Sequence, residues 1–229
     1  MRVIEVAAGV FAIRHAELDL TTGLVVGDGA CLVIDTAGDH VQGGALARAI
    51  REITRHPWQV VYTHAHFDHY YGTSAFVPCD VWAHKEFRLD AGEQAKWVTK
   101  YREDGRPEIA EAIRTTELIE PTNTFDKRAE LSVGGRTVVL HHFGPAHSFS
   151  DTIVHVPDAG VVFAGDLIEH PEFIEESFTD GDVAQWPVAL TALLALDPLV
   201  TVPGHGLPVD KDFVAAQREI LIAGWTSPQ

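Results

Sequence analysis

Cysteine is nearly missing from this chain. Only Cys31 and Cys79 occur in 229 residues, and they form no Cys-x-x-Cys pair. That argues against a disulfide framework and against a Cys-rich zinc knuckle, and reads both thiols as small buried hydrophobes. Basic residues are also few: 17 Lys and Arg face 33 Asp and Glu, for a formal charge of −16. They are scattered, without the basic patch or stripe of a nucleic-acid binder, so no nucleic-acid partner is expected. The acidity reads as a solubility feature. No apolar run approaches the roughly 18 residues of a membrane span, so no membrane segment is expected. Met1-Arg-Val-Ile-Glu5 carries an acid before a short apolar run, and no small-residue cleavage site follows. A signal peptide is therefore not expected, and the cytoplasm is the default location.

Histidine, by contrast, is abundant, with 13 in the chain. Four potential metal ligands crowd into Thr63-His64-Ala65-His66-Phe67-Asp68-His69, directly after the β-type run Trp58–Tyr62. Imidazole and carboxylate suit zinc, and equally iron or manganese. Alternate residues of an extended segment point the same way. His64, His66 and Asp68 are then expected on one side and His69 on the other, so that one cluster could serve two adjacent ions. Packing alone rarely assembles so many ionisable groups.

Along the chain, Val3–Ile13 alternates as a strand, and the polar stretch Arg14–Gly23 reads as a loop or flap. Leu24–Val26 and Ala30–Ile34 flank Gly27-Asp28-Gly29, a hairpin turn. Ala45–Thr54 has a helical apolar face of Leu46, Ile50 and Ile53, and Pro57 stops it. Gly72–Phe76 reads as a short helix and Asp80–Ala83 as a strand. Residues 85–118 are rich in Glu, Lys, Arg and Ala, and read as two helices broken at Asp104–Pro107. They look like a helical insertion within a single domain covering residues 1–229. Leu131–Val133 and Thr137–His142 flank Gly134-Gly135, and Thr152–Val156 and Gly160–Ala164 form another hairpin. Asp182–Leu196 reads as a helix, Pro198–Val202 as a last strand and Lys211–Ala223 as a C-terminal helix. Each half carries hairpins, a helix and a strand ending in histidine, which suggests two sheets packed face to face with helices outside.

Three further candidates sit beside Gly or Pro at strand ends: His147 in His142-Phe-Gly-Pro-Ala-His-Ser148, Asp166 in Phe163-Ala-Gly-Asp166, and His205 in Val202-Pro-Gly-His-Gly206. Loops held by a rigid scaffold are where catalytic groups concentrate. With His64-x-His66-x-Asp68-His69, and in this order, these residues make the chain resemble the metallo-β-lactamase-fold superfamily. The resemblance runs from the first hairpin to His205. It implies an α/β fold, an αββα sandwich of two mixed sheets flanked by helices, with metals at one edge. It implies that His64, His66 and His147 hold a first ion, that Asp68, His69 and His205 hold a second, and that Asp166 bridges them. Two zinc ions per chain are expected, with iron or manganese as substitutes. Ions about 3.5–4 Å apart can share one hydroxide available near neutral pH. Two carboxylates and that hydroxide leave the pair near +1, which favours a developing oxyanion. Asp68 is the candidate catalytic residue, orienting the hydroxide or handling its proton.

Departures from the family narrow the substrate. Two-zinc β-lactamases usually carry Cys where Asp166 stands, and a Lys where this chain has Glu169. Glu172, Glu175 and Glu176 follow, so a carboxylate substrate would be poorly received there. The bridging Asp instead resembles glyoxalase II and lactonases, although the helical glutathione region of glyoxalase II has no counterpart in the 24 residues after His205. The third-ligand loop reads His147-Ser-Phe-Ser-Asp151 rather than His-Thr-Pro-Gly. The expected function is hydrolysis of a small ester, lactone, thioester or amide. An iron-dependent oxidoreductase or a β-lactamase is the alternative. Tyr70, Tyr71 and His170 are weaker candidates for substrate contact, while His141, His142 and His155 read as structural. Trp82, Trp97 and Trp186 read as core or lid residues.

Overall fold

The computed structural model describes residues 1–169 and 181–224. Seven strands build the first sheet: β1 (Arg2–Ala7), β2 (Val10–Arg14), β3 (Thr21–Val26), β4 (Cys31–Ile34), β5 (Trp58–Val61), β6 (Val81–His84) and β7 (Asn123–Phe125). They lie side by side in sequence order. The first four pair antiparallel, and β4 to β7 pair parallel. Five strands build the second sheet: β8 (Arg128–Val133), β9 (Arg136–His141), β10 (Ile153–Val156), β11 (Val161–Gly165) and β12 (Val200–Pro203). Here β8 to β11 are antiparallel, and β12 joins β11 in parallel.

Three apolar layers follow from the alternation along these strands. Val10, Val25, Leu32 and Val61 of the first sheet face Val138, Val154, Val161 and Phe163 of the second. The outer face of the first sheet, with Leu24, Val33 and Val60, is covered by α1 (His40–Ile53), α3 (Ala91–Glu103) and α4 (Pro107–Thr115). The outer face of the second, with Ile153 and Val162, is covered by α5 (Trp186–Leu194) and α6 (Lys211–Ile222). The result is an αββα sandwich of two mixed sheets. Truncating a central residue such as Leu32 to Ala would cost about 2–5 kcal/mol.

Several elements differ from the expectations. The run Val3–Ile13 is two strands, because Gly9 turns the chain at φ 70°. The last three flap residues are strand: β3 starts at Thr21, after a 3-10 turn over Glu17–Asp19. Helix α1 starts five residues before Ala45, where the Asp39 side chain accepts the Val41 and Gln42 amides, each at 2.8 Å. Such a cap is worth about 1 kcal/mol. Gly43 obscured that start in the sequence, yet it is required there, since a Cβ would collide with the Gly72 backbone. Helix α5 is shorter than expected at both ends, with Pro187 in its first turn.

One edge of the sandwich collects strand ends from both sheets. The chain leaves β5 toward His64 there, β11 toward Asp166 and β12 toward His205. The Thr152 amide donates to the Thr63 carbonyl at 2.7 Å and ties the sheets together at this edge.

Candidate metal centre

All seven residues singled out from the sequence converge at this edge. Four ligand atoms, from His64, His66, His147 and Asp166, form one group, and those of Asp68, His69 and His205 form a second. In the first, His66 Nδ1 lies 3.0 Å from His64 Nε2 and 2.9 Å from His147 Nε2. Asp166 Oδ2 stands 3.6 Å from each of those Nε2 atoms. In the second, Asp68 Oδ2 lies 3.2 Å from His205 Nε2 and 3.7 Å from His69 Nε2. Asp166 reaches that group as well, with Oδ1 at 3.3 Å from His69 Nε2 and Oδ2 at 3.4 Å from His205 Nε2. Ligand atoms about 2.0–2.1 Å from a tetrahedral zinc are about 3.3–3.4 Å apart, which is the scale of these separations.

The expectation that His69 faces away from His64 does not hold. Their ring centroids are 4.1 Å apart. Alternation ends at His66, because α2 (Phe67–Tyr70) begins at the next residue and carries Asp68 and His69 on a helical turn.

Hydrogen bonds on the far side of the rings fix where the protons lie. Asp35 Oδ2 accepts the His69 Nδ1 proton at 2.8 Å, so a neutral His69 has its lone pair on Nε2. The Thr63 hydroxyl donates to Asp35 Oδ2 at 2.8 Å and is thereby free to accept from His64 Nδ1 at 3.0 Å. His205 Nδ1 donates to the Leu18 carbonyl at 2.8 Å. In their neutral forms these three imidazoles thus turn lone pairs toward one volume. His69 Nε2 and Asp166 Oδ1 are buried there without a hydrogen-bond partner. Gly204 leaves the room: a Cβ at that position would run into the Asp166 carboxylate and the His69 ring. Converging lone pairs and an unsatisfied carboxylate oxygen are a poor arrangement for protein atoms alone. They fit bound metal cations.

The electrostatics point the same way. Burial lowers His64 well below the usual imidazole value, and the neighbouring His69 adds to this. Burial would also lower His69, yet Asp166, Asp68 and Asp35 together raise it well above that value. Burial would raise Asp166, but His69, His205 and His64 pull it far below the usual carboxylate range. The site therefore stabilises carboxylates as anions and calls for positive charge between them.

Several supporting residues escaped the sequence reading. Asp35, in Ile34-Asp-Thr-Ala-Gly38, reads as the end of a hairpin. Its backbone is left-handed at φ 61°, a strain of about 1–3 kcal/mol. Three hydrogen bonds hold it there, from His69, the Thr63 hydroxyl and the Thr63 amide. Asp151 accepts the amides of Ala146 and Ser148 and the Ser148 hydroxyl, and so braces the loop that presents His147. Glu93 of α3 accepts the Phe67 amide at 3.3 Å and the Trp97 indole N–H at 3.2 Å. Trp97 in turn stacks on Phe67, with centroids 4.1 Å apart. Helix α3 therefore touches the ligand-bearing turn.

The weaker candidates fall elsewhere. Tyr70 and Tyr71 are buried in the outer core of the first sheet, with both hydroxyls toward the Asp90 backbone. Trp186 is fully buried, edge-on to His147. His142 stacks on His84 and donates to the Asp151 carbonyl. Glu169 is buried rather than solvated, its amide donating to Gln217 Oε1 at 3.1 Å. His170, Glu172, Glu175 and Glu176 lie outside the described residues. Among the described residues, no helix is long and apolar enough to cross a membrane.

A linear primary-alkylsulfatase from Pseudomonas sp. (strain ATCC 19151) is 26% identical over 212 residues, which is 78% of this chain and 40% of that protein. The chain thus spans about two fifths of the length of that curated relative. The solved metallo-beta-lactamase from Pontibacter korlensis has a TM-score of 0.73 at 18% identity, covering 96% of this chain and 98% of its own. The stereoselective inverting sec-alkylsulfatase Pisa1 from Pseudomonas sp. has a TM-score of 0.78 at 19% identity, covering 96% and 41%. These structures share the fold. The model of the metallo-beta-lactamase superfamily matches residues 18–205, which is most of the sandwich and every candidate ligand, and the chain belongs to that superfamily.

Proposed function

We propose that this protein is a dinuclear, zinc-dependent hydrolase of a small carbonyl compound, namely an ester, lactone, thioester or amide. The observation that carries the proposal is the convergence of lone pairs from His64, His69 and His205 on the two oxygens of Asp166. His64, His66 and His147 would hold one ion, and Asp68, His69 and His205 the other, with Asp166 between them. Bound there, two zinc ions would bring the pKa of water toward neutrality and polarise a substrate carbonyl. Asp68 is the catalytic residue of this reading. Its Oδ2 faces His205 and His69, which leaves the other carboxylate oxygen to orient the attacking water and hold its proton. Asp35 and Thr63 keep His69 and His64 in the tautomers that the centre needs. The Leu18 carbonyl does the same for His205 from the flap.

A second reading, hydrolysis of a sulfate ester, is favoured by the sequence match to the alkylsulfatase. It needs a cationic partner for the sulfate oxygens. Arg14, the flap's own guanidinium, is already committed to the Gly206 carbonyl, the Thr21 hydroxyl and Asp19. On that ground we rank the carbonyl substrate first. Two free thiols, Cys31 and Cys79, agree with a cytoplasmic setting.

Zinc-loaded protein should be assayed against p-nitrophenyl acetate, a γ-lactone, an acyl thioester, a chromogenic β-lactam and p-nitrophenyl sulfate. Chelator-sensitive turnover of one of the first three is expected. Turnover of the sulfate alone would move the function to the second reading. Stoichiometric iron with substrate-dependent oxygen uptake would reject hydrolysis.

A further inference from the structure

The flap is fastened along two lines. On one side it zips onto the loop that carries His205. The Gly206 amide donates to the Asp19 carbonyl at 3.0 Å, and the Thr21 amide to the Gly204 carbonyl at 2.6 Å. The Thr21 hydroxyl and Arg14 both donate to the Gly206 carbonyl. At the centre of this zipper the Leu18 carbonyl accepts from His205 Nδ1. To aim that carbonyl, Leu18 and Asp19 both adopt left-handed backbone, at φ 53° and 51°. Side chains at such angles stay only where neighbours hold them.

On the other side, the residue before Leu18 is gripped by the helical pair. Glu17 receives both guanidinium nitrogens of Arg106, with Nη1 to Oε1 at 2.7 Å, and the Tyr101 hydroxyl at 2.9 Å. Arg106 N-caps α4, and Tyr101 is buried on α3. His205 is the most solvent-exposed ligand of the second group, its side chain 21% exposed, so its orientation depends most on this outside support.

We propose that Arg106 and Tyr101 are positioning residues for the second cation site, acting through Glu17 and the Leu18 carbonyl on His205. The helical pair thereby sets how tightly the second ion is held, while the first ion is indifferent to it. This inference rests on the two-cation reading above.

The test is a titration of the full-length protein with cobalt(II), following d–d absorption in a competing chelator, with hydrogen exchange of the Gly204–Gly206 amides as a second readout. Arg106→Ala is expected to weaken the second cobalt step about tenfold and to leave the first within about twofold, in line with the loss of a ligand's outer support. Faster exchange at Gly204–Gly206 should accompany it. Glu17→Gln and Tyr101→Phe should act in the same direction with smaller size, and they serve if Arg106→Ala does not fold. Arg114→Ala, which breaks the Arg114–Glu111 pair on the same helix, should change neither step. Equal weakening of both steps, or no change in Arg106→Ala and Glu17→Gln, would overturn the proposal while leaving the two-cation reading in place. A wild-type protein that takes up fewer than two cobalt ions would overturn both.

Discussion

His205 is held by a different part of the molecule from the buried histidines of the centre. His64 and His147 are almost wholly buried. Each hangs directly from the sandwich, His64 from the end of β5 through Thr63 and Asp35, and His147 from a loop braced by Asp151. His69 is equally buried and shares the Asp35 support. His205 is not. Its far nitrogen meets a flap carbonyl, and the flap is anchored by a partly exposed ion pair on another helix. Exposed ion pairs contribute little to overall stability, so the Glu17–Arg106 pair is better understood as a local orienter than as a stabiliser. The buried ligands are thus held from the sandwich, and His205 alone is held from the flap loop.

Mutations that separate the two groups should differ in size. The largest effect is expected from His66→Ala, since His66 Nδ1 is the meeting point of the first group. Metal content and kcat/KM should fall together, the latter by about a thousandfold or more, as loss of a whole activating centre implies. His56→Ala, just upstream and outside the centre, should lower neither, and equal effects from both would refute the ligand assignment. Asp166→Ala should mainly strip the second ion, read as zinc per chain by mass spectrometry after dialysis. Two ions retained would count against a bridging carboxylate. Asp35→Asn offers an N–H where His69 and Thr63 both present donors. It should weaken the second ion about 10–100-fold. Because the centre shares Asp35 through Thr63, the first ion should weaken as well, but less.

The smallest effect concerns pH and the base of the flap. His15 is buried there, with Nε2 3.0 Å from the Thr22 hydroxyl. Burial, with the N-terminal amine and Arg14 nearby, lowers its pKa from 6.5 to about 4. The unfolded chain therefore takes up this proton near pH 6.5, whereas the folded chain resists until about pH 4. The stability from a neutral His15 is complete above pH 6.5 and is lost as pH falls toward 4, about 3 kcal/mol at most. Thermal unfolding at pH 7 and pH 5 should show a lower Tm at pH 5. His15→Gln, which can keep the Thr22 contact without titrating, should shrink that difference by a few degrees.

The chain-local ligands were the legible part of the centre. His64, His66, Asp68 and His69 announce themselves because chain-local ligands leave a spacing, and hairpin turns such as Gly134-Gly135 announce the strands around them. His147, Asp166 and His205 are visible only as strand-end residues in a family order. What supports His205 is not legible at all. A backbone carbonyl such as that of Leu18 has no side chain to mark it, and Glu17 meets Arg106 across 89 positions. Asp35 looked like a turn because its carboxylate acts on a histidine 34 residues away. The misjudged orientation of His69 has a local cause. A strand period was extended into a segment where a helix had already begun. The same rule misled over Val3–Ile13, where Gly9 allowed a turn inside an alternating run.

The account stands on seven side chains gathering around two cations. Anomalous diffraction at the zinc edge from crystals of zinc-loaded protein tests this directly. Two peaks about 3.5–4 Å apart are expected, one among His64, His66 and His147, the other among Asp68, His69 and His205, with Asp166 reaching both. No peak at this edge, or a single peak at full zinc loading, would contradict it.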